Sequence, residues 1–334
     1  MTAGTAGDGP AAAPVAPGGR GWARTLREQQ LIPLLILLGA LVVFMQIVQP
    51  GIVSSDWATS IIRFATPLAI LAACQTLVML TGGIDLSVAT VASMTAYLAA
   101  TQFRNQGEPV AVAIGIGAAL VVGLVNGVGV ALFRVQPLIM TLATGLVTAG
   151  FLTVYQTATV ATTSSAPPFV AWIGGAVSFG FVPNSLLIFA PVAALVLFAL
   201  HRSGFGRLLY AVGDNPVAAR LAGVRVWQVL LVVYVLSSLL AGVAGLIISA
   251  LAGSTTQGVA EPYLLPSVAA VVIGGTSIFG GRGGYTGSIV GAVILTILVS
   301  LLTVLDAPFA VRQIIYGVII LAVAAAYTRV TGDQ

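Results

Sequence analysis

The sequence predicts an all-α integral membrane protein of about ten transmembrane helices with both termini cytoplasmic, and three observations carry that expectation. Its 334 residues are 58% hydrophobic and 7% charged, with a mean hydropathy of +1.08, whereas soluble domains carry about 25% charged residues. Apolar runs of the length that crosses a bilayer core, about 20 residues, recur from Leu31 to Tyr327. The basic residues are all arginine, 13 in number, and they gather in alternate connections.

The elements follow in order. Residues 1–30 are rich in Ala, Gly and Pro and read as a disordered cytoplasmic tail, with Arg20, Arg24 and Arg27 ahead of the first span, Leu31 to Gln49. A cleaved signal peptide competes for that span, but the run is longer than a typical signal core and no small-x-small site follows it. Further spans are expected at 60–80, 84–101, 110–133, 137–158, 185–201, 227–251, 265–280, 284–304 and 310–328, so that 31–328 is one transmembrane domain and 329–334 a short cytoplasmic tail. With the N-terminus inside, the cytoplasmic side collects Arg134, Arg202, Arg207, Arg220, Arg225, Arg282 and Arg329 besides the three in the tail. Only Arg63, Arg104 and Arg312 fall elsewhere, as the positive-inside rule requires. The arginines therefore orient the chain in lipid and give no reason to invoke nucleic acid.

Some functions are excluded at this stage. No stretch is long enough for a soluble catalytic domain, so an energy source must lie on another chain. Cys74, the single cysteine, sits in an apolar run and reads as packing, with neither a disulfide nor a Cys-rich metal site available. There are no paired carboxylates, zinc-binding His-Glu-x-x-His run or Ser-His pairing for catalysis. An ion-driven carrier usually keeps ionisable residues at mid-membrane. Here Arg63 falls near an outer helix end, Asp85 near an inner one, and Asp306 just outside a helix.

Three runs carry chemistry. In 81–88 (T-G-G-I-D-L-S-V), Gly82 and Gly83 break the chain before the third span, and Asp85 or Ser87 is suited to cap it. The cytoplasmic connection 202–226 is long enough to fold locally: Asn215 is a natural N-cap, Pro216 suits the first helical position and Gly223 a stop, so a two-turn helix is expected from Pro216 to Ala222. Its small residues Ala218 and Ala219, with Arg220 beside them, suit docking on a partner, although a basic loop at the headgroups is the plainer alternative. In 271–283 (V-V-I-G-G-T-S-I-F-G-G-R-G), Gly274, Gly275 and Thr276 interrupt the eighth span. Broken helices line substrate paths in transporters, because unwound backbone then faces a cavity and not lipid, while close packing through small residues explains the same glycines.

Among other polar residues inside spans, Gln75 and Asn126 are candidates for the pathway wall or for interhelical hydrogen bonds, as are Gln136, Thr141, Thr144 and Gln156. His201 is expected as an interfacial anchor at a helix end. The outer segment 159–184, with Pro167, Pro168 and Trp172, is expected to form a short interfacial element.

Together, the runs 81–88, 213–223 and 271–283 resemble the ribose-type permease family of bacterial ABC importers, over roughly residues 31–328. The resemblance implies a type II importer fold in the bacterial plasma membrane. It implies a second permease copy or paralogue, ATPase subunits that bind ATP and Mg, and a periplasmic or lipoprotein substrate-binding protein. It places no cofactor, metal or catalytic residue on this chain. It implies that the loop carrying Asn215, Pro216, Ala218, Ala219, Arg220 and Gly223 is the coupling helix, while the breaks and buried polarity read above leave Gly82, Gly83, Asp85, Ser87, Gln75, Asn126, Gly274, Gly275 and Thr276 as the candidates for the gate or pathway. The implied solute is a monosaccharide or polyol, ahead of nucleosides, a furanose or branched-chain amino acids. Two departures stand out: Ala89 where the family commonly has Gly, and Glu261-Pro262 through Pro266 where it commonly has Glu-Leu-Asp-Ala, which removes an expected acid at the outer entrance of the eighth span.

Overall fold

The computed structural model describes residues 31–159, 165–308, 310–318 and 321; both expected tails lie outside the described residues. Twelve helices are bounded among them: α1 (Leu31–Val48), α2 (Ser55–Met79), α3 (Val88–Gln106), α4 (Glu108–Ala131), α5 (Pro137–Thr159), α6 (Pro168–Gly175), α7 (Leu186–Arg202), α8 (Gly204–Asp214), α9 (Pro216–Leu221), α10 (Val226–Ala252), α11 (Leu264–Ile273) and α12 (Tyr285–Val304). A two-residue hairpin, β1 (Val177–Ser178) against β2 (Val182–Pro183), follows α6, and a single 3-10 turn, Glu261–Tyr263, precedes α11. Helical backbone resumes at residues 310–318.

Helices dominate because hydrocarbon offers no partner to a free N–H or C=O, and a helix satisfies both within its own segment. Among the described residues six helices are long and apolar enough to cross a membrane: α1, α2, α4, α5, α10 and α12. A seventh crossing exists only if α7 and α8 count as one span bent by 68°. Each of the ten expected stretches nevertheless holds helix, and the differences have physical causes. α3 carries Ser93, Thr95 and Thr101 and is less apolar, which it tolerates because α4 and α10 pack along it and shield it. The expected span 265–280 is helical only as far as Ile273. Its ten residues rise about 15 Å, half a bilayer core, and residues 274 to 284 continue in turns bonded to one another and to the Leu80 carbonyl.

The core forms around α10, which packs against α2, α3, α4 and α6. Close approach comes from small residues, as is usual where helices meet in lipid. A Cβ on Gly245 of α10 would lie only 2.0 Å from the Ala92 carbonyl oxygen of α3, so the two backbones touch. A second cluster joins α2 to α11 and α12 through Leu68, Ala72, Val271 and Leu295. α1 is peripheral, anchored by Met45 against Ile61, Ile297 and Leu301. Within the segment 159–184 the described residues form a short helix, α6, and the hairpin. Glu108 caps α6, its carboxylate oxygens accepting from the Phe169 N–H (3.1 Å) and the Val170 N–H (2.9 Å).

Candidate functional site

The three informative runs, far apart in sequence, meet at one end of the bundle. After α2 the chain turns sharply: the Gly82 N–H donates to the Met79 carbonyl (2.9 Å) and the Gly83 N–H to that of Val78 (3.2 Å), with Gly82 at φ +78°. The turn delivers Asp85 into full burial.

Asp85 is the hub of a polar network within the bundle. Its Oδ1 accepts from the Ser87 N–H (2.9 Å) and Oγ–H (2.6 Å), and its Oδ2 from the Ser237 hydroxyl of α10 (2.8 Å). Gln75 of α2 clasps the Asp85 backbone on both sides, donating from Nε2 to the carbonyl (2.8 Å) and accepting the N–H at Oε1 (3.3 Å). Asn126 of α4 donates to Ser87 Oγ (2.9 Å) and accepts from Thr144 of α5 (2.6 Å). Thr141 of α5 takes the Leu86 N–H (3.0 Å). Four helices thus grip one loop. A carboxylate buried without a cation needs such donors, since each unmet one costs roughly 1–3 kcal/mol. The expected side-chain cap on the third helix is not made: Ser87 occupies the cap position without a side-chain bond to the helix, because its hydroxyl is committed to Asp85, whose own carboxylate is taken by Ser87 and Ser237. At Thr144 the network reaches a groove of about 480 Å³, lined also by Met94, Val121, Val125, Thr148 and Phe151.

The second run lies directly beneath. Asn215 caps α9 as expected, its Oδ1 accepting from Val217 N–H (3.0 Å) and Ala218 N–H (2.9 Å), and Gly223 ends it at φ +86°. Pro216, Ala218 and Arg220 are exposed, while Ala219 is buried and faces the bundle. The connection preceding α9 is α8, an amphipathic helix with Gly206, Leu209 and Val212 turned inward.

Backbone contacts join the three runs. The Gly281 N–H donates to the Leu80 carbonyl (3.0 Å) and the Tyr210 hydroxyl to the Gly283 carbonyl (2.8 Å). A Cβ on Gly213 would stand 1.8 Å from the Leu80 oxygen, and one on Gly280 would stand 2.7 Å from the Gly213 oxygen. The loops after α2 and α11 and the last turn of α8 therefore interlock where no side chain fits. Asp214, which ends α8 just before α9, packs on Gly281, and Gly281 bonds the Leu80 carbonyl ahead of the turn that carries Asp85.

Gly82, Gly83, Asp85, Ser87, Gln75 and Asn126 are thus brought together. Gly274, Gly275 and Thr276 sit in the neighbouring arm: Gly274 packs on Gly287 of α12, Gly275 turns at φ +83°, and Thr276 Oγ1 accepts the Gly284 N–H (3.2 Å). Cys74 is buried, as expected of a packing residue. Sequence reading passed over Ser237, although a serine pair inside a 27-residue apolar helix is a visible signal. It also passed over Val217 and Leu221, exposed at 63% and 85% on one face of α9, and Gly213, whose role no local pattern reveals.

Long apolar helices gathered around a buried polar turn mark the chain as an integral membrane protein. The chain matches the family described as "Branched-chain amino acid transport system / permease component" over residues 57–324 and belongs to it. It is 35% identical to the ribose import permease of Escherichia coli K12 over 301 residues, covering 89% of this chain and 92% of that one. It is 33% identical to the fructose import permease of Rhizobium meliloti over 276 residues (79% and 75%), and 34% to the galactofuranose transporter permease of E. coli K12 over 267 (79% and 77%). No solved structure matches. The chain is a ribose-type ABC importer permease and is not itself an enzyme.

Proposed function

We propose that this chain forms the membrane pathway of an ATP-driven importer for a monosaccharide or polyol in the bacterial plasma membrane, with the α8–α9 end cytoplasmic. Its relatives import ribose, fructose and galactofuranose. Arginine placement supports the orientation, since Arg134, Arg202, Arg207, Arg220, Arg225 and Arg282 share one end. The proposed assembly contains a second permease copy or paralogue with a type II fold, ATPase subunits that bind ATP and Mg, and a substrate-binding protein on the outer face.

In the proposed cycle α9 seats on the ATPase through Val217 and Leu221, with Arg220 at the rim. Closure of the ATPase displaces α9, and the interlocked glycine loops pass that motion to the Asp85 turn, which biases α4, α5 and α10 toward one of two arrangements. The observation that carries this reading is the Gly213–Leu80–Gly281 junction, which ties the docking helix to the buried network through main chain.

The test uses proteoliposomes holding the chain with its ATPase and binding protein, and radiolabelled ribose, xylose and ribitol as probes. Uptake of at least one, strictly dependent on ATP, is expected. Flux that persists without the ATPase and follows a proton or sodium gradient would overturn the reading in favour of a secondary transporter.

A further inference from the structure

A groove of about 740 Å³ runs beside α9, between α8 and the first turns of α10. Phe205, Leu208, Val229 and Val232 form its apolar wall, with Arg225 and Gln228 among the residues at its polar end. Arg207 stands beside the lining at Gly204: its Nη2 lies 3.8 Å from where a Cβ on Gly204 would stand. Among the described residues no carboxylate lines the groove and none pairs with Arg207 or Arg225.

We infer that this groove is a binding site for one anionic phospholipid, its phosphate held by Arg207 and Arg225 and one acyl chain laid along α10. Geometry favours lipid over protein as occupant. The apolar wall continues up the spanning helix as far as Val232, seven residues and about 10 Å beyond Arg225, which is deeper than a soluble partner under α9 reaches. α8 leaves α7 at 68°, so it lies across the bundle end with Leu208 exposed toward the same groove. Trp227, exposed at the start of α10, is the kind of aromatic that anchors at the headgroup level. Arginines at a helix end with an apolar slot behind them match a lipid's phosphate and chain in both charge and order. The occupant would touch Ala222 and Gly223, the end of the docking helix, so it would stiffen the element through which the ATPase acts.

Native mass spectrometry of the full-length chain in complex with its ATPase tests this, with phosphatidylglycerol and phosphatidylcholine of identical chains titrated in parallel. One phosphatidylglycerol per chain is expected to survive collision energies that strip phosphatidylcholine. The Arg207→Gln/Arg225→Gln pair should raise the half-saturating concentration at least tenfold, while Arg207→Lys/Arg225→Lys stays within about threefold of the parent. Val232→Trp, which fills the apolar arm and leaves the arginines alone, should also weaken retention. Soluble glycerol phosphate should not displace the lipid, because it lacks the chain. Equal retention of both lipids, unchanged retention by the Gln pair, displacement by glycerol phosphate, or loss of the lipid whenever the ATPase is bound would each overturn the inference, the last by giving the groove to the ATPase.

Discussion

Substituting Gly213 by alanine separates coupling from assembly. Gly213 lies within α8, so alanine suits its backbone and would by propensity alone favour the helix by up to about 1 kcal/mol. Its Cβ, however, would stand 1.8 Å from the Leu80 oxygen and 2.7 Å from the Gly281 nitrogen, both main-chain atoms that cannot rotate away. Reaching even a tight 3.0 Å contact requires the junction to part by roughly 1.2 Å, at a cost of about 1–3 kcal/mol for overpacking. That displacement shifts the Leu80 carbonyl and the Gly281 N–H it accepts (3.0 Å) away from the end of α8. The docking face of α9 is untouched. Gly213→Ala should therefore retain the ATPase on co-purification while ATP-dependent ribose uptake into proteoliposomes falls at least tenfold. Gly150→Ala, at a helical glycine with nothing within 4 Å of the added carbon, is the control and should transport normally. Wild-type uptake by correctly inserted Gly213→Ala would refute the path proposed between docking helix and network.

Other outcomes follow from the same geometry. Asp85→Ala leaves the Ser87 N–H, the Ser87 hydroxyl and the Ser237 hydroxyl without their acceptor; at about 1 kcal/mol each it should cost about 3 kcal/mol, read as a lowered Tm of the purified chain. Asp85→Asn should recover most of that loss, because the amide oxygen can face Ser87 while Ser237 turns to accept; an Asn variant as unstable as the Ala one would mean that charge and not geometry is the requirement. Val217→Asp or Leu221→Asp should abolish ATPase co-purification with the fold intact by circular dichroism, since both side chains are exposed. Asn215→Ala, which removes both capping bonds of α9, should weaken α9 by about 1 kcal/mol and lower the affinity for the ATPase, measured as a several-fold rise in Kd.

Much of the architecture was legible because membrane insertion writes itself into composition. Helix positions follow from apolar runs, and α9 was readable to within a residue from Asn215, Pro216 and Gly223, each of which acts locally. What escaped depends on contacts across the bundle. The early end of α11 was hidden because Gly274 and Gly275 can either pack within a helix or end one, and the choice is made by how closely α12 approaches. Ser237 and Gly213 were passed over for a similar reason: neither alters local conformation, and their meaning comes from Asp85 and Leu80, more than 100 positions away. Of the six residues gathered there, Gly82, Gly83, Asp85 and Ser87 came from motif reading and Gln75 and Asn126 from their polarity inside apolar spans, yet the network that unites them appeared only with the fold.

The shortness of α11 bears on how this chain enters the bilayer. Its ten residues are too few to span a bilayer as an independent helix, and the turns of 274–284 draw one of their backbone partners from Leu80, at the end of α2. Insertion of α11 is therefore expected to follow the emergence of α12 from the ribosome, the two entering as one hairpin against α2, which truncation of the nascent chain before Tyr285 would check by leaving α11 uninserted. The Gly274–Gly287 and Ala270–Gly291 contacts that zip this hairpin are then a step in biogenesis as much as a feature of the finished fold.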